Sequence, residues 1–152
     1  MKGGIKLNYV KEAEEILKSR KTLDEKIRSL NRQIARIMNS GTPHEIKGID
    51  YSQPKVKGGA VDDTMTDCIS IIEANKEIKL AKAKIEEIDD VIGQLQEESK
   101  KILTLWYIDL KTKSEICNIL NYGSMQSIYD KHRRGIEEFA LLYFGAPALY
   151  SI

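Results

Sequence analysis

Several side chains between Ser124 and Arg134 have the chemistry needed to read duplex DNA. Glutamine can pair bidentately with adenine, arginine suits guanine or phosphate, aspartate can accept from cytosine, and an apolar group can touch the thymine methyl. Residues of these types share one side of a helical segment, away from the apolar positions, and they are Met125, Gln126, Tyr129, Asp130 and Arg133. For any one of them a solvated surface position is an equal explanation. Their common face favours DNA recognition.

Basic residues around this face could neutralise DNA phosphates. Lys111 and Lys113 precede a short predicted helix whose first amides can also bind a phosphate. The predicted DNA-binding residues are Lys111, Lys113, Ser124, Met125, Gln126, Tyr129, Asp130, Lys131, His132, Arg133 and Arg134. Acidic neighbours dilute the charge, and residues 99–152 carry a net charge of only +2. We expect modest intrinsic affinity that dimerisation or a protein partner strengthens.

Two short helices joined by a turn would hold these residues. Ile116, Ile119 and Leu120 share one side of the first helix, and Ile128, Ile136 and Phe139 mark a matching stripe on the second. The intervening Asn121-Tyr122-Gly123 tolerates left-handed backbone, and Ser124 can cap the second helix. This pattern predicts a helix-turn-helix whose second helix, Ser124–Phe139, enters the DNA major groove. An ordinary pair of core helices is the alternative.

Two long heptad-like seams occupy the rest of the chain. Apolar residues at alternating spacings of three and four run from Ile16 to Ile37, with Arg20 interrupting one position. A second seam runs from Ile71 to Leu95 and on to Ile102. Such seams predict long helices that need apolar partners. We therefore predict an all-α fold in which a long antiparallel, coiled-coil-like helical hairpin precedes a small helix-turn-helix domain.

The charges of the two seams predict that they pair with each other. Residues 1–39 carry ten Lys or Arg against five Asp or Glu, whereas residues 65–98 carry four against nine. Net charges of +5 and −5 favour association of unlike helices. A hairpin within one chain and a homodimer that exchanges the long helices both satisfy this pattern.

The predicted domains are 1–98, the hairpin with a long loop at 40–64, and 99–152, the helix-turn-helix domain. The loop contains two prolines and four glycines, which is typical of a linker or a binding loop. Asp62, Asp63 or Thr64 is predicted to cap the second long helix.

Composition excludes several other functions. No apolar run approaches the roughly 20 residues that span a bilayer, so no membrane association is expected. Cys68 and Cys117 are interpreted as reduced core residues, which predicts a cytoplasmic protein. Neither cysteine has recognised zinc spacing with His44 or His132, so no metal or other cofactor is expected. The absence of phosphate-loop, serine-hydrolase and zinc-protease motifs argues against an enzyme.

The C-terminal stretch resembles region 4 of bacterial sigma factors and, more closely, phage regulators of the ArpU and RinA type. The residues that carry this resemblance are Trp106-Tyr107, Lys113-Ser114-Glu115-Ile116-Cys117, Leu120-Asn121-Tyr122 and Ile128-Tyr129-Asp130-Lys131-His132-Arg133-Arg134-Gly135-Ile136. An earlier stretch, Lys47-Gly48-Ile49-Asp50-Tyr51 with Lys57-Gly58-Gly59, is similar to a loop in the same phage group. Cys117, Asn121 and Gly135 depart from the alanine, glycine and alanine of the family pattern.

The resemblance implies a sequence-specific, DNA-binding transcriptional regulator of phage or prophage late genes, acting in the cytoplasm of a bacterial host. Double-stranded DNA is the implied partner, and host RNA polymerase is a further candidate. Two alternatives stay open. One is a small terminase-like DNA-packaging subunit, which also combines a helix-turn-helix with long helices. The other is a structural coiled-coil adaptor in which the motif serves only as a core.

Overall fold

The computed structural model describes residues 8–40 and 57–145, with side chains described for 8–40 and 64–145. The helices in this part of the chain are α1 (Tyr9–Ser40), α2 (Lys57–Gly93), α3 (Glu97–Leu103), α4 (Lys113–Leu120) and α5 (Met125–Phe144). A π-helical turn, Thr104–Ile108, continues α3. No β-strand occurs among the described residues. The predicted all-α fold, a long helical hairpin followed by a helix-turn-helix, is confirmed.

The chain divides into two compact units. One contains Met1–Thr22 and Lys84–Ile152, of which residues 8–22 and 84–145 are described, and the other is Leu23–Ala83. The division falls within α1 and α2. The first unit therefore combines the start of α1 and the end of α2 with the helix-turn-helix. The domains 1–98 and 99–152 stay a prediction. Most of predicted loop 40–64, residues 41–56, lies outside the described part of the chain.

In the unit Leu23–Ala83, α1 and α2 pack through their apolar seams. Ile27 of α1 and Ala74, Ile78 and Ala81 of α2 are buried. An ion pair of 3.9 Å between Lys26 Nζ and Glu77 Oε2 crosses the two helices. The opposite side of α2 carries a second apolar stripe that stays exposed, formed by Met65, Ile69, Ile72 and Leu80.

In the other unit, the same two helices are joined by a charged pair inside the seam. Arg20 donates from Nε to Asp89 Oδ1 at 2.6 Å and from Nη2 to Oδ2 at 2.9 Å. This bidentate pair explains how α1 tolerates an arginine at an apolar position. Leu17 is fully buried, whereas Ile16, which the sequence placed in the seam, is only half-buried.

The ends of α2 differ from those predicted. The helix begins at Lys57, so the predicted caps Asp62, Asp63 and Thr64 lie within it. A formed helix gains a hydrogen bond with each added residue, which offsets the roughly 1 kcal/mol that each glycine costs. The second seam does not continue as one helix to Ile102, because α2 ends at Gly93.

The interpretation of both cysteines as core residues is wrong. Cys68 is exposed, because its position on α2 lies outside the buried stripe of Ala74, Ile78 and Ala81. Cys117 is half-buried, and its thiol donates to the Tyr122 carbonyl oxygen at 3.4 Å. Both thiols are free, as the sequence predicted.

The turn between α2 and α3 is fixed by a carboxylate from α5. Glu138 accepts the backbone N–H of Gln96 at 3.3 Å and the hydroxyl of Ser99 at 2.9 Å. This satisfies donors at the start of α3 that would otherwise lack a partner. Leu95 and Ile102 are buried on either side of the turn, so the apolar seam continues across a break in the helix.

The helix-turn-helix packs around a small apolar core. Ile116 of α4 and Ile128 and Phe139 of α5 are fully buried. Helix α3 approaches α5 so closely that a Cβ at Gly135 would lie 3.1 Å from Leu103 Cγ. Gly135 therefore permits this packing, and α5 continues past it to Phe144. Ile119, predicted to join the core, is instead 51% exposed and lines an open cleft with Leu105 and Leu120.

Candidate nucleic-acid interface

Side-chain caps hold the two helices of the motif at their ends. Thr112 Oγ1 accepts the N–H of Glu115, and the Glu115 carboxylate accepts the N–H of Thr112 at 2.8 Å. The second of these hydrogen bonds lowers the pKa of Glu115. Asn121 ends α4 in the left-handed conformation at φ 56°, and Ser124 caps α5 by accepting the N–H of Ser127. Both residues thus have the conformational roles that the sequence predicted.

The first two turns of α5 expose the residues predicted to read bases. Met125 is 39% exposed and Tyr129 is 42% exposed, while Ile128 between them is fully buried. The other exposed members of this face are Gln126, Asp130 and Arg133. The predicted outward phase of this helix is therefore the phase observed.

Two hydrogen-bonded or ionic pairs run along this exposed face. Gln126 donates from Nε2 to Asp130 Oδ1 at 3.2 Å, and Arg133 Nε lies 3.5 Å from Glu137 Oε1. Each pair joins residues one turn apart on an exposed helix, where such interactions contribute only a few tenths of a kcal/mol. An incoming polar ligand could therefore replace them at little cost.

An aromatic cluster supports α5 from beneath. His132 stacks on Trp106 with ring centroids 3.7 Å apart, and a 2.7 Å hydrogen bond joins its Nε2 to the Tyr107 hydroxyl. Both aromatic residues belong to the π-helical turn Thr104–Ile108. A π-turn inserts an additional residue per turn, which changes the direction of the side chains that follow. Here two consecutive aromatic residues both reach the same imidazole.

His132 does not belong to the predicted cationic rim. Burial against Trp106 and Tyr107 lowers its pKa to about 4, so the imidazole is neutral at pH 7. Nearby Glu14 opposes this shift, and Lys113 and Lys18 reinforce it. The sequence placed His132 among surface cations because it lies within a basic run. The aromatic partners that bury it are 25 or 26 residues earlier in the chain.

Lys131 is also directed away from the exposed face. Its Nζ lies 3.0 Å from Glu98 Oε1 on α3, and this pairing lowers the pKa of Glu98. Arg133 and Arg134 remain exposed. Of the four predicted basic residues from 131 to 134, the structure therefore brings two to the outer surface of α5.

The two predicted lysines before and within α4 lie beside the exposed face. Lys111 is exposed, and Lys113 Nζ lies 5.0 Å from the ring centre of Tyr129 and 5.9 Å from that of Trp106. These cation–π contacts direct the Lys113 charge towards the first turns of α5. Trp106 is a part of the site that the sequence placed only in the core.

Searches against protein-family models, curated proteins and solved structures gave no match. The resemblance to phage regulators therefore stays an expectation that rests on the residues quoted for it. No described helix is long and apolar enough to cross a membrane. Within the same residues, no group of three or more histidine, cysteine, aspartate or glutamate side chains could hold a metal ion.

Proposed function

We propose that this protein is a sequence-specific DNA-binding regulator of phage or prophage transcription, with α5 as its recognition helix. The main support for the proposal is that one side of α5 is exposed and the other is buried. Its first two turns present base-reading groups to solvent, and its other side is held by a buried core. A helix supported in this way can enter the major groove, which is about 12 Å wide.

Each exposed side chain would make a different kind of contact with DNA. Gln126 would read adenine, and Met125 would contact a thymine methyl group. Asp130 would orient Gln126, to which it is already hydrogen-bonded, or accept from cytosine. Arg133 would contact guanine or a phosphate, depending on the depth to which the helix enters the groove.

The surface charge supports moderate, salt-sensitive affinity. Lys111, Lys113, Arg133 and Arg134 are exposed near or on α5, and each can neutralise one phosphate. Four such contacts give a slope of about −3.6 for log K against log salt concentration. This is a small electrostatic contribution for a DNA-binding protein, and a second copy bound to an adjacent half-site would raise the affinity.

A homodimer through the long helices is part of the proposal. It is supported by the exposed apolar stripe of α2, Met65, Ile69, Ile72 and Leu80, which lies on the side away from α1. Parallel pairing of two copies would oppose the two Lys76 side chains within the stripe. Antiparallel pairing centred between Ile72 and Glu73 would instead bring Met65 of one copy opposite Leu80 of the other. Host RNA polymerase is a further proposed partner, on the resemblance alone.

Selection from a pool of randomised DNA duplexes tests the proposed function and requires no known operator sequence. The wild-type protein should enrich a defined sequence, and should bind it in gel shifts with an affinity that falls steeply between about 50 and 200 mM salt. Failure to enrich any sequence, with no binding even at low salt, would favour the coiled-coil adaptor. A ring-sized mass in solution would favour the terminase-like alternative over a monomer or dimer.

Gln126→Ala and Arg133→Ala are the informative variants. Gln33→Ala and Arg32→Ala are matched controls, because they remove the same chemical groups from exposed positions on α1. The proposal expects weaker binding of the selected duplex by the first pair only. All four proteins should unfold at the same urea concentration, because all four side chains are exposed.

A further inference from the structure

An open cleft of about 560 Å³ lies beside the first residue of α5, where three separate parts of the chain meet. One continuous part, from the π-turn to the start of α4, contributes Trp106, Leu110 and Lys111 to Ser114. Met125, the first residue of the proposed recognition helix, lines the same cleft. The third contributor is Lys21, from the exposed side of α1.

The cleft is strongly cationic. Lys21, Lys111 and Lys113 line it, and no carboxylate does so among the described residues. None of the three ammonium groups forms a salt bridge within the described part of the chain, although Lys113 lies over two aromatic rings. Lys131 and Lys18, by contrast, each have an acidic partner. The Glu115 carboxylate, which accepts the Thr112 N–H and whose pKa the Lys111 charge lowers, offsets part of this charge from outside the cleft. Three lysines near one carboxylate leave a net positive charge, which an anion in the cleft would neutralise.

We propose that α1 is part of the DNA interface and that Lys21 neutralises a backbone phosphate held in this cleft together with Lys111 and Lys113. The inference rests on the proposed function, and it extends the DNA contact beyond the helix-turn-helix to the long hairpin. The position fits a phosphate, because the cleft adjoins Met125 at the entry of the recognition helix. Thr112 and Ser114 add hydroxyl groups that suit a phosphodiester oxygen.

A phosphate contact has a salt signature that a structural lysine lacks. Each lost contact reduces the slope of log K against log salt by about 0.9. Lys21→Gln should therefore weaken binding about eightfold at 0.1 M salt. The weakening should be about 3.5 times larger at 50 mM than at 200 mM salt, and it should be similar for any DNA sequence.

The experiment measures fluorescence anisotropy of two labelled duplexes of about 30 base pairs, one selected from the random pool and one of mixed sequence, over a salt series. The proteins are the full chain with its wild-type sequence and the variants Lys21→Gln, Lys21→Arg, Lys11→Gln and Gln126→Ala. Lys11→Gln removes the same charge from an exposed position of α1 outside the cleft. Equal urea midpoints would verify that the substitutions leave the fold intact.

Support for the inference would be a reduced salt slope for Lys21→Gln on both duplexes, restoration by Lys21→Arg, and wild-type behaviour of Lys11→Gln. Wild-type binding by Lys21→Gln, with weakened binding of the selected duplex by Gln126→Ala, would overturn the inference and leave the proposed function standing. Equal weakening by Lys21→Gln and Lys11→Gln would also overturn it, because the effect would then be general electrostatics. Absence of binding by the wild-type protein would overturn both.

Discussion

His132 should make the stability of the helix-turn-helix depend on pH. Its imidazole is stacked on Trp106 and hydrogen-bonded to Tyr107, and burial lowers its pKa to about 4 from an ordinary value of 6.5. The unfolded chain therefore takes up a proton near pH 6.5, whereas the folded protein does so only near pH 4. Between these values the unfolded state binds more protons, so the free energy of unfolding falls as the pH falls.

The full difference of 2.5 pKa units corresponds to about 3.4 kcal/mol. This energy is an upper limit, because His132 is only partly buried and water that screens its charge reduces the pKa shift and the energy together. The loss should begin below about pH 6.5 and level off near pH 4, where both states are protonated. Above pH 6.5 the contribution should be constant.

Urea unfolding of the wild-type protein and of His132→Gln at about pH 7, 6, 5 and 4 measures this contribution. Glutamine does not titrate in this range and can still hydrogen-bond to the Tyr107 hydroxyl. Carboxylates titrate in both proteins, so the difference between the two isolates His132. The chain has a single tryptophan, Trp106, whose fluorescence in the folded wild-type protein should change with a midpoint near pH 4. A midpoint near pH 6.5, with the same pH dependence of stability in both proteins, would refute the buried stack.

Two further predictions concern packing around α5. Gly135→Ala should destabilise the protein by about 1 kcal/mol in urea unfolding, because a Cβ there would lie 3.1 Å from the fully buried Leu103 and this strain exceeds the gain in helix propensity. Gly93→Ala is the matched control, because no atom lies within 4 Å of a Cβ added there. It should leave the free energy of unfolding unchanged or raise it by up to about 1 kcal/mol. Equal effects of the two substitutions would contradict the close approach of α3 to α5. Ile128→Asp should abolish cooperative unfolding of the C-terminal helices, because it buries an unpaired charge at a fully buried position. Retention of native circular dichroism and a native urea midpoint would mean that Ile128 is not in the core.

Local chemistry made the helix-turn-helix predictable from sequence. The cap at Ser124, the left-handed turn at Asn121 and the inward phase of Ile128 and Phe139 each depend on residues only a few positions apart. The long helices were predictable for the same reason, since a seam of alternating three and four spacing fixes both the helix and its buried side. The sequence also predicted correctly that Met125, Gln126, Tyr129, Asp130 and Arg133 of α5 face solvent, but it wrongly placed Lys131 and His132 with them.

The features that depend on distant contacts were not predictable. Trp106 and Tyr107 bury His132 across 25 or 26 residues, and the π-turn that aligns them has no clear sequence signal. A basic run such as 131–134 predicts a charged surface. Only the tertiary structure shows which of its residues are buried and which are exposed. Lys21 joins the cleft at Lys111 from about 90 residues away, and its outward helical phase alone gave no indication of that neighbour.

The central claim is that the first turns of α5 read base edges. The most direct test compares the affinities of wild-type protein and Gln126→Ala for a selected duplex and for a mixed-sequence duplex at one salt concentration. A bidentate contact to adenine contributes about 1–3 kcal/mol, so Gln126→Ala should bind the selected duplex roughly 5- to 150-fold more weakly and the mixed-sequence duplex equally well. An unchanged ratio of the two affinities, in a variant with an unchanged urea midpoint, would contradict the assignment of α5 as the recognition helix.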